Sequence, residues 1–191
     1  MGDFINKILS VIFYLLNFFQ FKYINIRSKI FFSVRVQGKK FISIGINSVI
    51  QRGGWLLATK IDEIDPLLSI GNNCAIGDYS HIVAVRKVII EDDVLIANNV
   101  YISDNLHSYE DINVPIINQC IKFKKEVVLK SGCWIGENVS IIGANIGKNS
   151  VVGSNSVVVD DVPDYCVAVG IPAKVIKKID LKSNQWVSLK I

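Results

Sequence analysis

Two histidines, His81 and His107, are the residues of this chain best suited to proton transfer near neutral pH. An imidazole titrates close to neutrality and can remove the proton of a weak nucleophile such as a hydroxyl group. It works best when an acceptor fixes its second nitrogen, and Asp104, Glu110 and Asp111 lie close to His107 in the sequence. From residue type alone, a surface histidine without a role is the simpler interpretation. The position of each histidine in the fold must therefore decide between a catalytic role and none.

The cysteines do not predict a metal site or a disulfide framework. Cys74, Cys120, Cys133 and Cys166 are far apart, and no two of them form a Cys-x-x-Cys pair. We interpret them as small core residues in a reducing compartment and predict no metal requirement.

The charge of the chain excludes one class of partner. Its 21 basic and 17 acidic residues give a net charge of +4 without a long basic block, so we predict no nucleic-acid partner. Basic residues gather near the two ends of the chain: Lys22, Arg27 and Lys29, and Lys174, Lys177 and Lys178. These groups suit a phosphate-bearing ligand and an anionic membrane surface equally well.

A six-residue repeat predicts the elements that must position these side chains. Each copy has an aliphatic residue, usually a small or acidic one, two polar positions often containing Asn, and a small or β-branched residue. The copies begin at Ile44, Ile70, Ile76, Ile90, Ile96, Ile102, Ile135, Ile146 and Val152. Three copies make a triangular coil of about 18 residues, in which the aliphatic side chains point inward and Asn or small residues permit the sharp turns. We therefore predict an all-β fold, a parallel β-helix, because a β-sandwich would have turn signals only every 8–12 residues or so.

The repeat is interrupted once at length. It stops after Ile102 and returns near Val127, and the intervening stretch is rich in polar and turn-forming residues and contains Pro115. We predict a protruding loop at residues 103–126. An excursion from a regular solenoid is a natural place for function, and His107 lies near its start.

Residues 44–179 resemble the hexapeptide-repeat acyltransferases, and most closely the maltose, galactoside and surface-polysaccharide O-acetyltransferases. The resemblance rests on the repeat and on the ending VGSNSVVVDDVPDYCVAVGIPAKVIKKI, in which a Gly-x-Pro-Ala-Lys turn follows the last coil. It implies a left-handed β-helix, which the repeat alone does not show. It also implies a homotrimer with active sites between neighbouring subunits, and acetyl-CoA as the acetyl donor.

The resemblance implies a catalytic role for His107. In the family, the catalytic histidine follows a copy of the form NVxL or NVxI by five residues, and residues 99–102 supply that copy here. Polysaccharide-modifying relatives often have Asp-His-x-His at this point, whereas this chain has Asp104, Asn105, a leucine and His107, so the first histidine is replaced. The orienting carboxylate stays open between Asp104 and the two acidic residues that follow His107.

The resemblance also implies binding residues. The predicted acetyl-CoA contacts are Trp134, Ser154, Asn155, Gly170, Pro172 and Lys174, and the candidate acceptor contacts are His81, Asn105 and Asp111. Lys174 suits a phosphate of the donor. Packing at a subunit interface is the alternative for Trp134, and a packing or surface position is the alternative for His81.

The first residues form a separate apolar segment. Residues 4–21 are interrupted by polar side chains and lack the charged start and the cleavage site of a signal peptide. An apolar stripe recurs at helical spacing: Ile5, Ile8, Leu9, Ile12, Phe13, Leu16 and Phe19. We expect a helix whose stripe caps the open end of the core or packs on a neighbouring subunit, with peripheral contact to a membrane as the alternative.

The predicted organisation is a helix and connector at 1–30, a β-helix at 31–178 and a tail at 179–191. The predicted function is transfer of acetyl from acetyl-CoA to a sugar hydroxyl in surface polysaccharide biosynthesis, in the cytoplasm or at the inner face of the membrane. N-acetylation of an amino sugar, acetylation of a small molecule and a non-catalytic scaffold are the alternatives. Two histidines are too few for the three-histidine zinc site of β-helix carbonic anhydrases.

Overall fold

The computed structural model describes the backbone of residues 2–189 and the side chains of residues 8–189. Helix α1 (Gly2–Asn17) continues into a 3-10 turn (Phe18–Gln20), and further 3-10 turns span Lys39–Phe41 and Ile116–Asn118. The strands, in chain order, are β1 (Tyr23–Ile24), β2 (Lys29–Ile30), β3 (Arg35–Gln37), β4 (Ile42–Ile44), β5 (Val49–Ile50), β6 (Trp55–Ala58), β7 (Leu67–Ile70), β8 (Ala75–Ile76), β9 (His81–Ala84), β10 (Lys87–Ile90), β11 (Leu95–Ile96), β12 (Tyr101–Ser103), β13 (Asn105–His107), β14 (Ile121–Phe123), β15 (Val127–Leu129), β16 (Trp134–Ile135), β17 (Ser140–Ile142), β18 (Val151–Val152), β19 (Val157–Val158), β20 (Cys166–Gly170), β21 (Ala173–Asp180) and β22 (Gln185–Ser188).

Three long sheets form the sides of a triangular prism. The first sheet has the order β1-β4-β7-β10-β15, the second β2-β5-β8-β11-β16-β18-β20-β21-β22, and the third β19-β17-β12-β9-β6-β3. Successive strands such as β4, β5 and β6 fall in the first, second and third sheets in turn, and strands from successive coils pair in parallel. The predicted parallel β-helix is therefore confirmed.

The core consists of aliphatic columns that run along the prism. The residue that begins each of the nine predicted copies is at most 2% exposed. In the first sheet Ile44, Ile70, Ile90 and Leu129 lie in register, each above the next. Stacked coils thus bury side chains that a single coil would leave in water.

Three cysteines lie in this core as predicted, namely Cys74, Cys133 and Cys166, but Cys120 lies on the loop and is exposed. Burial raises the pKa of the Cys133 thiol to about 12, so this group stays protonated and acts as a small apolar side chain.

The recurrent asparagines make the corners of the prism. Between the second and third sheets, the turns of the last five coils each have one residue with positive φ: Gly53, Tyr79, Asn99, Asn138 and Asn155. Asn tolerates this left-handed conformation better than most residues, which explains why it recurs in the repeat.

Strand pairing extends beyond both boundaries drawn from the sequence. The first coil begins at Tyr23, inside the segment assigned to the helix and connector, because β1 and β2 pair with β4 and β5. This coil carries Arg27 and Phe32 where the next coil carries Asn47 and Arg52, so its pattern is weak. At the other end, β21 and β22 form an antiparallel extension where a tail was expected. Residues 190–191 lie outside the described residues.

Helix α1 lies over the open N-terminal end of the core, but not on the face that the sequence predicted. The Ser10 hydroxyl is buried and donates a hydrogen bond to the Ile30 carbonyl (3.2 Å), while Phe13 and Tyr14 pack against the core. Four members of the predicted stripe, Ile8, Ile12, Leu16 and Phe19, are 45–71% exposed, and the side chain of Ile5 lies outside the described residues. The predicted helix is confirmed, but these four members of its stripe do not cap the core. Packing of the stripe on a neighbouring subunit stays a prediction. None of the described helices is long and apolar enough to cross a bilayer.

Candidate active site

The predicted loop leaves the prism at the corner between the third and first sheets. It follows β12 of the third sheet and returns to β15 of the first. Its base is an antiparallel hairpin in which β13 pairs with β14, with His107 opposite Ile121. The amide of Ser108 extends the pairing by donating to the Cys120 carbonyl (2.9 Å). His107 is thus the exposed last residue of a strand, on a more ordered base than a polar loop predicts.

Asp104 fastens the start of this loop to the preceding coil. Its side chain is fully buried, and its carboxylate accepts hydrogen bonds of 2.7–3.1 Å from the amides of residues 85–87. The Asn105 side-chain amide donates a further hydrogen bond to it (2.9 Å). None of these bonds involves His107, so the contacts give Asp104 a structural role in place of the predicted orienting one.

Arg86 strengthens the same corner. Its guanidinium forms an ion pair with Asp62, which lies in the segment between β6 and β7. The same group lies 5.8 Å from the centroid of the Phe123 ring in β14. Three successive coils are therefore linked at the corner from which His107 extends.

The other acidic candidates also have partners other than His107. Glu110 pairs with Lys122 across the loop, and the hydrogen bond from this ammonium group holds the pKa of the Glu110 carboxyl below its usual value. Asp111 accepts a hydrogen bond from the Asn113 amide (2.9 Å) and lines an open hollow of about 470 Å³ at the loop tip. Among residues 8–189, no carboxylate of the same chain orients His107 by a hydrogen bond.

His81 lies on the outer face of the third sheet in an aromatic stack. Its ring is 4.2 Å from Trp55 at an interplanar angle of 3°, and Tyr101 meets it edge-on at 5.4 Å. Arg35 covers the other side of the stack, with its guanidinium 4.4 Å from the Trp55 ring. Burial, and to a lesser extent the charge of Arg35, lowers the pKa of His81. The Nε2 atom is buried without a hydrogen-bond partner within the described chain.

The sequence analysis did not predict the aromatic stack around His81, although the spacing of its residues in the repeat indicates it. Trp55, His81 and Tyr101 are in register on successive coils, each directly before a fully buried aliphatic residue. An alignment of the copies by that residue would have placed the three rings in one column.

Trp134 lies on the outer face of the second sheet. It is in register with Leu95 on one side and Val151 on the other, and both Trp134 and Leu95 are 49% exposed. The indole is therefore available to a ligand or to another subunit.

Ser154 and Asn155 form the last of the turns between the second and third sheets. The Ser154 hydroxyl accepts a hydrogen bond from the Glu137 backbone amide (3.2 Å), and the side-chain Oδ1 atom of Asn155 accepts one from the Asn138 side chain (3.1 Å). Both residues are exposed, so each can support the turn and still meet a ligand from solvent.

The predicted Gly-x-Pro-Ala-Lys turn joins β20 to β21. Gly170 has a φ of +105°, a conformation that favours glycine, and Pro172 is exposed. The Lys174 ammonium lies 3.4 Å from an Asp160 oxygen, and both side chains are more than half exposed. Such a surface pair is weak and leaves Lys174 able to exchange its partner for a phosphate.

The predicted residues do not all meet within one chain. His107 extends from the corner between the third and first sheets, whereas Trp134 and Lys174 belong to the second sheet. In a triangular coil, that corner lies opposite the second side. Within residues 8–189, no three metal-ligating side chains cluster.

Comparison with known proteins agrees with this architecture. The family model described as "Hexapeptide repeat of succinyl-transferase" matches residues 67–104 and 131–159. A putative lipopolysaccharide biosynthesis O-acetyl transferase, WbbJ of Escherichia coli (strain K12), is 34% identical over 63% of this chain and 65% of its own length. The chain thus spans slightly less than two thirds of this relative.

Solved structures extend the likeness. A maltose O-acetyltransferase from Clostridium difficile 630 is 30% identical, with a TM-score of 0.54 over 84% of this chain and 71% of the other. AntD, an N-acyltransferase from Bacillus cereus solved with dTDP and 3-hydroxybutyryl-CoA, has a TM-score of 0.74 over 88% and 89% of the two chains, and at 22% identity it supports the fold alone. With its repeats, its prism of three sheets and these relatives, the chain belongs to the hexapeptide-repeat acyltransferases, whose fold is the left-handed parallel β-helix.

Proposed function

We propose that this protein transfers an acetyl group from acetyl-CoA to a hydroxyl group of a sugar, with His107 as the general base. The observation that carries the proposal is the position of His107, which is exposed at the end of β13 where the repeat is interrupted. Relatives named as O-acetyltransferases of lipopolysaccharide biosynthesis and of maltose support the reaction class and the type of acceptor.

The chemistry requires one proton acceptor and no covalent enzyme intermediate. The neutral imidazole of His107 takes the hydroxyl proton as the oxygen attacks the thioester carbonyl. The new ester C–O bond forms, the C–S bond breaks, and the imidazolium returns the proton to the departing CoA sulfur. His107 makes no hydrogen bond with a carboxylate of its own chain among the described residues, so we expect the acceptor or a second subunit to orient the ring.

We propose that the second sheet and its turns bind acetyl-CoA. The exposed Trp134 indole offers a flat apolar surface, and Ser154 and Asn155 lie one turn further along the prism. Lys174 has only a weak surface partner, so it is the preferred contact for a phosphate of the donor.

We further propose a homotrimer with shared sites. The base and the donor-binding surface lie on opposite sides of one coil, so a neighbouring subunit must bring them together. The half-exposed pair Trp134 and Leu95 gives the second sheet apolar surface for such a contact. We place the enzyme in the cytoplasm, at the inner face of the membrane where its acceptor is a surface glycan precursor.

A thiol-release assay with acetyl-CoA against a panel of sugars tests this function. We expect release of CoA only with hydroxyl acceptors, and mass spectrometry should find one acetyl group added as an ester. The same assay is repeated with matched amino sugars. Formation of an amide product would show that the reaction is N-acetylation and not O-acetylation. No release with any sugar, together with a monomeric mass by light scattering, would contradict the shared-site proposal.

A further inference from the structure

Charge is divided unevenly along the prism. Residues 4–61 contain nine lysine and arginine residues and no aspartate or glutamate. Residues 62–191 hold 16 of the 17 acidic residues and the remaining 12 basic ones. The modest net charge of +4 thus conceals a strongly basic N-terminal end and a slightly acidic remainder.

Several basic residues of the first coils have no acidic partner among the described side chains. Among the described side chains, Lys22, Arg27, Lys29, Lys40 and Arg52 form no ion pair with a carboxylate. The nearby Lys39 ammonium bonds only to neutral side chains, those of Asn17 (2.6 Å) and Gln20 (3.1 Å). The positive potential of this end is therefore not cancelled locally.

An apolar surface lies at the same end. The outer side of α1 exposes five large apolar side chains by 43–64%: Ile8, Val11, Ile12, Leu15 and Leu16. Phe19, in the 3-10 turn that follows, is 71% exposed. The first coil adds three more at its rim, Tyr23, Ile26 and Phe32, exposed by 51–79%. We refer to these nine residues as the apolar end surface. A group of exposed apolar side chains of this size marks an interaction site.

Apolar and basic groups alternate closely on this end. Between α1 and the first coil lies a hollow of about 240 Å³ lined by Ser10, Val11, Ile26, Arg27, Ser28 and Lys29. A ligand with an apolar chain and an anionic head can place both parts there at once. The anionic interface of a lipid bilayer presents many such molecules side by side.

We propose that the apolar end surface and its basic rim bind an anionic lipid bilayer, with the prism standing away from the membrane. A second copy that meets this surface end to end is a poorer partner because two such ends would bring like charges together. Nucleic acid would match the charge but leave the apolar side chains in water. The proposal deepens the membrane location suggested above, and it does not depend on acetyl transfer.

Vesicle flotation with the full chain tests this. Vesicles of phosphatidylcholine alone are compared with vesicles containing about 30 mol% phosphatidylglycerol. We expect binding to the anionic vesicles at least about tenfold tighter than to neutral ones, and weaker binding as salt rises from about 0.1 M to 1 M. Equal binding to both vesicles, or none to either, would overturn the proposal.

Matched variants locate the contact. Leu16→Glu and Lys22→Glu alter the apolar end surface and its rim, and Leu181→Glu and Lys182→Glu make the same changes at the opposite end. Leu16 is 64% exposed and Leu181 is 78% exposed, so neither change disturbs the core. We expect the first pair to lower vesicle binding by about tenfold each and the second pair to leave it unchanged. The same loss in both pairs contradicts the assigned surface. Loss of self-association with Leu16→Glu, without any vesicle binding by the parent, would identify a second copy as the partner instead.

Discussion

The two histidines lie in two contrasting regions of the molecule. His81 belongs to a regular coil, where it is stacked between aromatic rings and its Nε2 atom is enclosed. His107 belongs to the one long interruption of the coils, on a hairpin that exposes it. The coil region uses its side chains to hold successive turns together, whereas the loop holds a reactive group in solvent. The same residue type therefore carries structure in one region and, in our proposal, chemistry in the other.

The largest expected effect on stability separates the two regions. Ile82→Ala removes a fully buried side chain from the coil, and the resulting cavity should cost about 2–5 kcal/mol of unfolding free energy. Ile112→Ala, at a loop residue that is 93% exposed, should cost less than about 0.5 kcal/mol. Urea unfolding at equal protein concentration measures both. Similar costs would mean that the loop is packed as tightly as the coils.

Asp104 joins the two regions, and its removal should come next in size. Asp104→Ala leaves three backbone amides without their acceptor, so we expect a loss of at least about 2 kcal/mol in unfolding free energy. Asp104→Asn should lose less unfolding free energy than Asp104→Ala, because its one side-chain oxygen still accepts hydrogen bonds from the backbone amides. Asp111→Ala, at an exposed residue, is the control. If Asp104→Ala were no more costly than Asp111→Ala, the carboxylate would not fasten the loop.

Lys174→Glu examines the donor surface of the coil region. The variant places a negative charge where we expect a phosphate. It should therefore weaken the binding of acetyl-CoA by about tenfold and the binding of dephospho-CoA by less. Isothermal titration measures both ligands, with Lys182→Glu as the control. An equal loss for the two ligands would move the phosphate contact elsewhere.

The smallest effect concerns the pH dependence of the coil histidine. Because the pKa of His81 is lowered in the folded chain, His81 of the unfolded chain binds a proton at a higher pH than His81 of the folded chain, beginning near pH 6.5 or so. The contribution of neutral His81 to the unfolding free energy is therefore fully present above the pKa of the unfolded chain. It declines as pH falls towards the pKa of His81 in the folded chain. His81→Phe should therefore make the unfolding free energy less dependent on pH below about 6.5. An unchanged slope would mean that the stack does not disfavour the charged ring.

The regular region could be predicted far better than the interrupted one. The copies from Ile44 to Val152 placed the buried columns correctly, because a six-residue period leaves little freedom once coils must stack. The first coil was not predicted because Arg27 and Phe32 stand at two of its turn positions, where the following coils carry Asn or other polar residues. The exposed face of α1 was not predicted, because an apolar stripe indicates an interface but not whether its own core or another surface covers it.

The position of the loop could be predicted from the sequence, but the contacts that its side chains make could not. Its position followed from the missing copies, and the spacing of His107 was visible in the sequence. That Asp104 would turn back to the amides of residues 85–87 depends on which coil lies beneath it, and proximity in sequence favoured His107 instead. Sequence distance is a poor guide where a chain leaves a solenoid, because the nearest neighbours belong to the previous coil.

The most direct test of the central claim is the turnover of His107→Ala with acetyl-CoA and the acceptor found by the sugar panel. We expect kcat to fall by about 10²–10⁴-fold, the usual contribution of a positioned general base, while acetyl-CoA affinity and oligomeric mass persist. Added imidazole should restore part of the lost rate, and His81→Ala should change the acceptor KM at most. Near-normal turnover of His107→Ala would contradict the assignment of His107 as the base.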